Sequence, residues 1–275
     1  MKWKKHLTIL LLLAALSGIF RTTIPAGASC SDEIPIIKKV SFSAADSQAK
    51  ISFSVYQPAC YDERIRGGYP VLYLLHGQNM DQYTWQELSL PEQMRDGMAD
   101  LSLPGFLIVT VQEDDYLQEI YYSEFDDLIL NSIIPWVDAN YHTCSNRECR
   151  AIGGISRGAL WAEKIAFEHS DLFGAVGLHS IPGTIFDDQT LKVLVRDQLE
   201  KKPQETLRIY IDTGSEDTYR HDGRAVSDQL NFLGYPHTRV VNPGGHDNDY
   251  WRAQIPQYIR WYSEAWDHDS LLNYR

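Results

Sequence analysis

The chain has 275 residues, 44% of them apolar, and four cysteines. That length suits one large α/β domain or two small ones, and the apolar fraction excludes disorder and collagen-like repeats. The formal charge of -12 argues against nucleic acid or an anionic membrane as partner, because phosphate would be repelled.

Lys2, Lys4 and Lys5 open the chain, an apolar run follows from Leu7 to Phe20, and Ala26-Gly27-Ala28 supplies small residues for cleavage. This is the pattern of a secretory signal peptide over residues 1–28. The apolar run is shorter than the ~18 residues of a spanning helix. An uncleaved N-terminal anchor is the alternative, and a lipid on Cys30 is a third reading that Gly27 disfavours. Cleavage after Ala28 removes four basic side chains and no acidic one, so the mature chain is more acidic still. Export permits disulfides. Cys144 and Cys149 are close enough to bridge locally, which leaves Cys30 for Cys60 among three possible pairings. No Cys-x-x-Cys or flanking His pair supports a metal site.

In chain order, Lys50 to Tyr56 alternates, with Ile51, Phe53 and Val55 on one face and Ser52 and Ser54 on the other. It reads as a half-exposed, antiparallel strand near an edge. Val71 to Leu75 is continuously apolar and reads as a buried central strand. Further strands are expected at 106–111, 151–153, 175–178, 207–211 and 238–241. Ser123 with Asp126 forms a capping-box pattern, followed by Phe125, Leu128, Ile129, Ile133 and Trp136 on one helical face. Pro135 is expected to kink the last turn of that helix. A second helix is expected over 158–169, with weaker patterns at 188–201, 219–233 and 249–266. Leading strands followed by strand–helix alternation predict a mainly parallel sheet with helices on both faces. Chemistry is then sought beyond the C-terminal ends of the strands.

The sharpest motif is Gly154-Ile155-Ser156-Arg157-Gly158, between a strand and a helix. A serine on such a turn adopts a strained backbone that lifts its hydroxyl above the sheet. The hydroxyl needs a base, and histidine supplies one near neutral pH. In this arrangement the order is Ser, acid, His, so the base lies after the last strand. His246 qualifies, beyond the turn Asn242-Pro243-Gly244-Gly245; His179, His221 and His237 stand at less suitable points. The acid should follow the strand at 207–211. Asp212, Asp217 and Glu216 are all candidates, and reach slightly favours Asp217. The oxyanion needs two backbone donors. One is the N–H of Arg157; the other is expected at Gln78, in His76-Gly77-Gln78 after the central strand. His76 itself reads as a buried polar residue bonded to a neighbouring loop.

These motifs resemble the esterase D and feruloyl esterase branch of the α/β-hydrolases. The resemblance covers roughly residues 38–265. It is carried by Pro70 to Gly77, by Ile134 to Tyr141, by Gly154 to Gly158, and by Gly244-Gly245-His246-Asp247 with Trp251 behind. It implies an α/β-hydrolase fold over residues 29–275, a mainly parallel central sheet flanked by helices. It also implies a serine esterase needing no cofactor, and places the acid at Asp217, in the loop Gly214-Ser215-Glu216-Asp217. Relatives in this branch often carry Met where Arg157 stands; the Arg157 side chain is expected to pair with an acidic residue, in the loop Glu113-Asp114-Asp115. The segment 181–206 is too short for a large cap domain. An open cleft suits bulky or polysaccharide-linked esters, with acetyl and feruloyl groups as expected acyl parts. Tyr116, Tyr121, Tyr122 and Trp85 are candidates to stack on a sugar or aromatic ring. An acyltransferase of the mycolyltransferase type, and a non-catalytic carbohydrate-binding relative, are the rival readings. The acidic stretch from Glu113 to Asp127 lacks a calcium-loop spacing. Asp247 and Asp249 read as loop and helix-start residues.

Overall fold

Eight strands form one sheet in a computed structural model that describes residues 34–43, 50–59, 61–100 and 102–266. The signal-like segment, Cys30 and Cys60 lie outside the described residues. The strands are β1 (Ile36–Ser43), β2 (Lys50–Gln57), β3 (Val71–Leu75), β4 (Leu107–Val111), β5 (Arg150–Ile155), β6 (Ala175–His179), β7 (Arg208–Gly214) and β8 (Thr238–Asn242). Their order across the sheet is β1-β2-β4-β3-β5-β6-β7-β8. β2 is antiparallel to β1 and β4, and every pair from β4 to β8 is parallel. This is the α/β-hydrolase arrangement.

The helices are α1 (Thr84–Glu87), α2 (Leu90–Ala99), α3 (Phe125–Leu128), α4 (Ile134–Asn140), α5 (Arg157–Glu168), α6 (Asp188–Arg196), α7 (Arg220–Phe232) and α8 (Asn248–Ser263). They divide between two cores because strand side chains alternate between faces. Leu72 and Leu74 of β3 join Trp85, Met94, Tyr258 and Tyr262 from α1, α2 and α8. Val71, Tyr73 and Leu75 join residues of α3 to α7, among them Trp161, Leu191 and Leu230. Both faces are covered, so β3, β4, β5 and β6 are buried along their whole length. Between β6 and β7 lie α6, a wide turn at Asp197–Lys201 and one short turn at Pro203–Glu205. No cap domain is inserted there.

Several expectations need correction. β2 is antiparallel and lies next to the edge, as expected, but it is not half-exposed: β1 pairs with it along its length, and Ser52 and Ser54 are buried on the same face as Tyr56. Alternation there reports side-chain polarity, and small hydroxyls accept cover that charged groups would resist. The helix expected from Ser123 runs without a break from Phe125 to Asn140, but a π-type turn at Ile129–Ile133 stands between α3 and α4. Pro135 has no N–H and its ring crowds the carbonyl one turn back; the widened turn just ahead of it relieves that conflict. The capping box does not form either. Ser123 Oγ accepts the Phe125 N–H at 3.3 Å, while Asp126 instead pairs with Lys164 of α5. Finally, Trp85 is 1% exposed and packs in the core, so it is unavailable to a sugar.

Cys144 and Cys149 are joined in the loop before β5. Among the described residues, no helix is long and apolar enough to cross a membrane, and no group of three or more His, Cys, Asp or Glu could hold a metal ion.

Candidate active site

β3 runs between β4 and β5, so the chain leaves it toward one side of the sheet and continues on the other. Such a switch point opens a crevice at the C-terminal strand ends. Ser156 stands at that end of β5. Its φ of 55° and ψ of -120° are far from ordinary L-residue geometry. Close packing enforces this turn. A side chain at Gly154 would lie 2.2 Å from Gly158 O, and one at Gly158 would lie 2.5 Å from Leu75 O. The glycines therefore let the start of α5 press against both β5 and the end of β3. The Ser156 N–H is anchored to His179 O at 2.9 Å.

His246 Nε2 lies 3.0 Å from Ser156 Oγ, and His246 Nδ1 lies 3.1 Å from both carboxylate oxygens of Asp217. The three side chains form one hydrogen-bonded line. The loops carrying acid and base are stitched together by the backbone: Ser215 N–H donates to Asn242 O at 2.7 Å and Glu216 N–H to Gly244 O at 2.9 Å. A side chain at Gly214 would lie 2.2 Å from Gly244 O, so only glycine allows this approach. Asp247 caps α8 by accepting the Tyr250 N–H at 2.9 Å, which fixes the chain just after His246. The imidazole is held edge-to-face between Tyr219 and Trp251, at 4.9 and 5.0 Å.

Asp217 is fully buried and His246 is 21% exposed. Burial pushes the Asp217 carboxyl up, but bonds from His246, the Ser180 hydroxyl and the Tyr219 N–H together hold it below its ordinary range. The carboxylate is thereby kept in its charged form.

Asp212 does not reach His246. Its Oδ1 lies 2.6 Å from His179 Nδ1, and its Oδ2 accepts the hydroxyls of Tyr250 at 2.6 Å and Tyr258 at 2.7 Å. Tyr262 OH lies 3.0 Å from His179 Nε2, and the Tyr258 ring stacks on the imidazole at 3.7 Å. Sequence reasoning missed this buried cluster. Glu216 is a turn residue held through its backbone and makes no contact with the imidazole.

Gln78 lies in a turn closed by Met80 N–H to Gly77 O at 3.2 Å. A side chain at Gly77 would sit 3.4 Å from Ser156 Cβ, so this turn runs beside the serine. Arg157 opens α5, and the first amides of a helix have no partner within it. The Arg157 guanidinium pairs with Glu113, Nη2 to Oε1 at 2.6 Å. On the loop after β4, Leu117, Tyr121 and Tyr122 are exposed, and the Tyr121 hydroxyl reaches Ile185 O on the loop after β6.

A family described as "Putative esterase" matches residues 44–262. The chain is 24% identical, over 227 residues, to an endo-1,4-beta-xylanase/feruloyl esterase of Xylanibacter ruminicola; the match covers 78% of this chain and 30% of that protein. The chain thus spans less than a third of that relative's length. It is 25% identical to an acetyl esterase of Caldicellulosiruptor saccharolyticus, over 71% of this chain and 84% of that one. Among solved structures, a ferulic acid esterase superposes with a TM-score of 0.75 at 21% identity, covering 85% of this chain and all of that one. A ferulic acid esterase from Anaeromyces mucronatus, solved with ferulic acid, gives 0.71 at 22% identity, over 86% and 93% of the two chains. At these identities the superpositions establish shared fold.

Proposed function

The chain belongs to this esterase family, and from that premise we propose that it is a serine carboxylesterase. The observation that carries the reading is the unbroken line from Asp217 through His246 to Ser156 on a strained strand–helix turn. Ser156 Oγ attacks the ester carbonyl while His246 Nε2 takes its proton. Asp217 holds the imidazole in the required tautomer and stabilises the cation that forms. The oxyanion is met by the backbone N–H groups of Arg157 and Gln78. His246 then protonates the departing alcohol, leaving an acyl group on Ser156. Water, deprotonated by the same imidazole, releases the acid.

The proposed substrates are acetyl or feruloyl esters carried on carbohydrate. The names of the two relatives support that class, as does a site without a cap domain. The exposed Tyr121 and Tyr122 offer faces for a ring. The secretory pattern at the N-terminus fits a substrate met outside the cell.

Ser156→Ala tests the mechanism. Hydrolysis of a short p-nitrophenyl ester should fall by about 10⁵-fold or more; near-normal turnover would refute the reading. A panel of acetylated, feruloylated and simple alkyl esters then ranks the acyl groups by kcat/KM.

A further inference from the structure

Glu113, at the start of the loop after β4, touches neither Ser156 nor His246, yet two separate arms connect it to the two proposed oxyanion donors. We propose that Glu113 and His76 are positioning residues that fix both donor amides. The inference rests on the serine-esterase reading above.

The first arm is a backbone relay. Glu113 N–H donates to His76 Nε2 at 2.9 Å, and His76 Nδ1 lies 2.8 Å from Gly77 O. An amide can only donate, so Nε2 must be the acceptor and Nδ1 must carry the proton. The imidazole therefore donates to the Gly77 carbonyl. Its 2% exposure keeps it away from water, and burial, more than any other influence, lowers its affinity for a second proton. The described residues contain no cis peptide, and in a trans peptide C=O and N–H point in opposite directions. Drawing Gly77 O toward His76 thus turns the Gln78 N–H the other way. The Met80 N–H pulls the same carbonyl in the same sense, closing the turn that runs beside Ser156.

The second arm is the carboxylate. Its oxygens take Arg157 Nε at 2.9 and 3.1 Å, Arg157 Nη2 at 2.6 Å and Trp161 Nε1 at 2.9 Å. Arg157 also donates to Gln118 O at 2.7 Å. This fork holds the first residue of α5, whose own N–H is the second donor. The Gln78 loop and α5 are separate segments, and beyond the direct packing of α5 on the end of β3 a bridge between them helps fix the spacing of the two amides. Glu113 is one such bridge. Preorganisation of this kind matters because donors that must move lose their advantage in the transition state.

The imidazole arm can be dissected because asparagine reproduces the Nδ1 position and glutamine the Nε2 position. His76→Asn should keep the bond to Gly77 O and retain kcat on a p-nitrophenyl ester to within about tenfold, whereas His76→Gln should lose about 100-fold in kcat with KM little changed. Glu113→Gln should lower kcat about tenfold at constant KM. In the double variant Glu113→Gln with Arg157→Met no buried charge is left unpaired, and kcat should stay low. Equal kinetics for the two His76 variants, both folded by thermal melt, would overturn the imidazole arm. Recovery of kcat in the double variant would overturn the carboxylate arm, since the fork would then serve only charge balance. Ser156→Ala is run alongside: its inactivity upholds the underlying reading whatever the other variants do, and its full activity would remove that reading and this proposal together.

Discussion

Two aspartates five positions apart each face a histidine, and the two pairs are in opposite circumstances. Asp217–His246 sits on loops at the sheet's end, with the imidazole partly exposed and a serine on its far nitrogen. Asp212–His179 is sealed, with both side chains fully buried and a tyrosine hydroxyl on the far nitrogen. The second pair arises from register, because His179 and Asp212 are direct partners across β6 and β7. The same two residue types thus serve different ends. Access and the third partner set the pairs apart: on the proposed mechanism the accessible one does chemistry, whereas the sealed one ties a helix to a sheet. Here the sealed pair ties α8 to the sheet through Tyr250, Tyr258 and Tyr262.

The comparison breaks if the two aspartates respond alike. Asp217→Asn should cost about 10³–10⁴ in kcat, by loss of tautomer control, with only a modest fall in melting temperature. Asp212→Asn should do the reverse. It leaves buried donors poorly matched and should lower stability by about 2–4 kcal/mol in urea unfolding, with kcat of the folded fraction within about tenfold. Activity lost at Asp212 and kept at Asp217 would exchange their roles.

A third buried carboxylate sharpens the contrast, for it has no imidazole. Glu163 of α5 accepts the Thr184 hydroxyl at 2.9 Å and the Ile185 N–H at 2.8 Å, and burial pushes its pKa up to about 7. An acid raised in the folded state favours folding while protonated, and that contribution disappears as pH climbs through the folded value. Stability should therefore decline between about pH 5 and 8, by roughly 2–3 kcal/mol, and Glu163→Gln should flatten that slope. Asp217 has the opposite sign. Its folded value is depressed, so its contribution is present above the ordinary carboxylate range and fades as pH falls through the folded value. In unfolding titrations, the gap between the wild type and Asp217→Asn should close only on the acid side. The smallest effect is expected at Tyr258→Phe, which deletes one hydroxyl from the sealed cluster. Stability should drop by about 1–2 kcal/mol and turnover should be unaffected.

Much of the architecture was legible because its signals are local. Continuous apolar runs mark β3 and β4, and the glycine pattern around Ser156 marks the turn between β5 and α5. The position of His246 follows from strand order. The missed features are those that depend on the chain's return to itself. β1, with Lys38 and Lys39 inside an exposed edge, carries no strong pattern. α1 and α2 follow the turn after β3 so closely that only Pro91 early in α2 signals a start. The burial of Ser52, Ser54 and Trp85 depends on what packs over them. The pairing of His179 with Asp212 spans 33 residues and exists only once the strands are in register. For the acid, residue spacing left Asp212, Asp217 and Glu216 open; the stitched loops explain why Asp217 is the one beside His246.

β8 is the last strand of the sheet, and His246 comes after it. The two backbone bonds that join the acid loop to the base loop span β7 and β8, so they exist only when this outermost strand is docked. On the proposed mechanism, a molecule whose β8 is undocked would hold the serine and the acid without the base in place, and its hydroxyl would be as inert as that of any surface serine. Labelling of Ser156 by an active-site reagent would then double as a report that this outermost strand is docked.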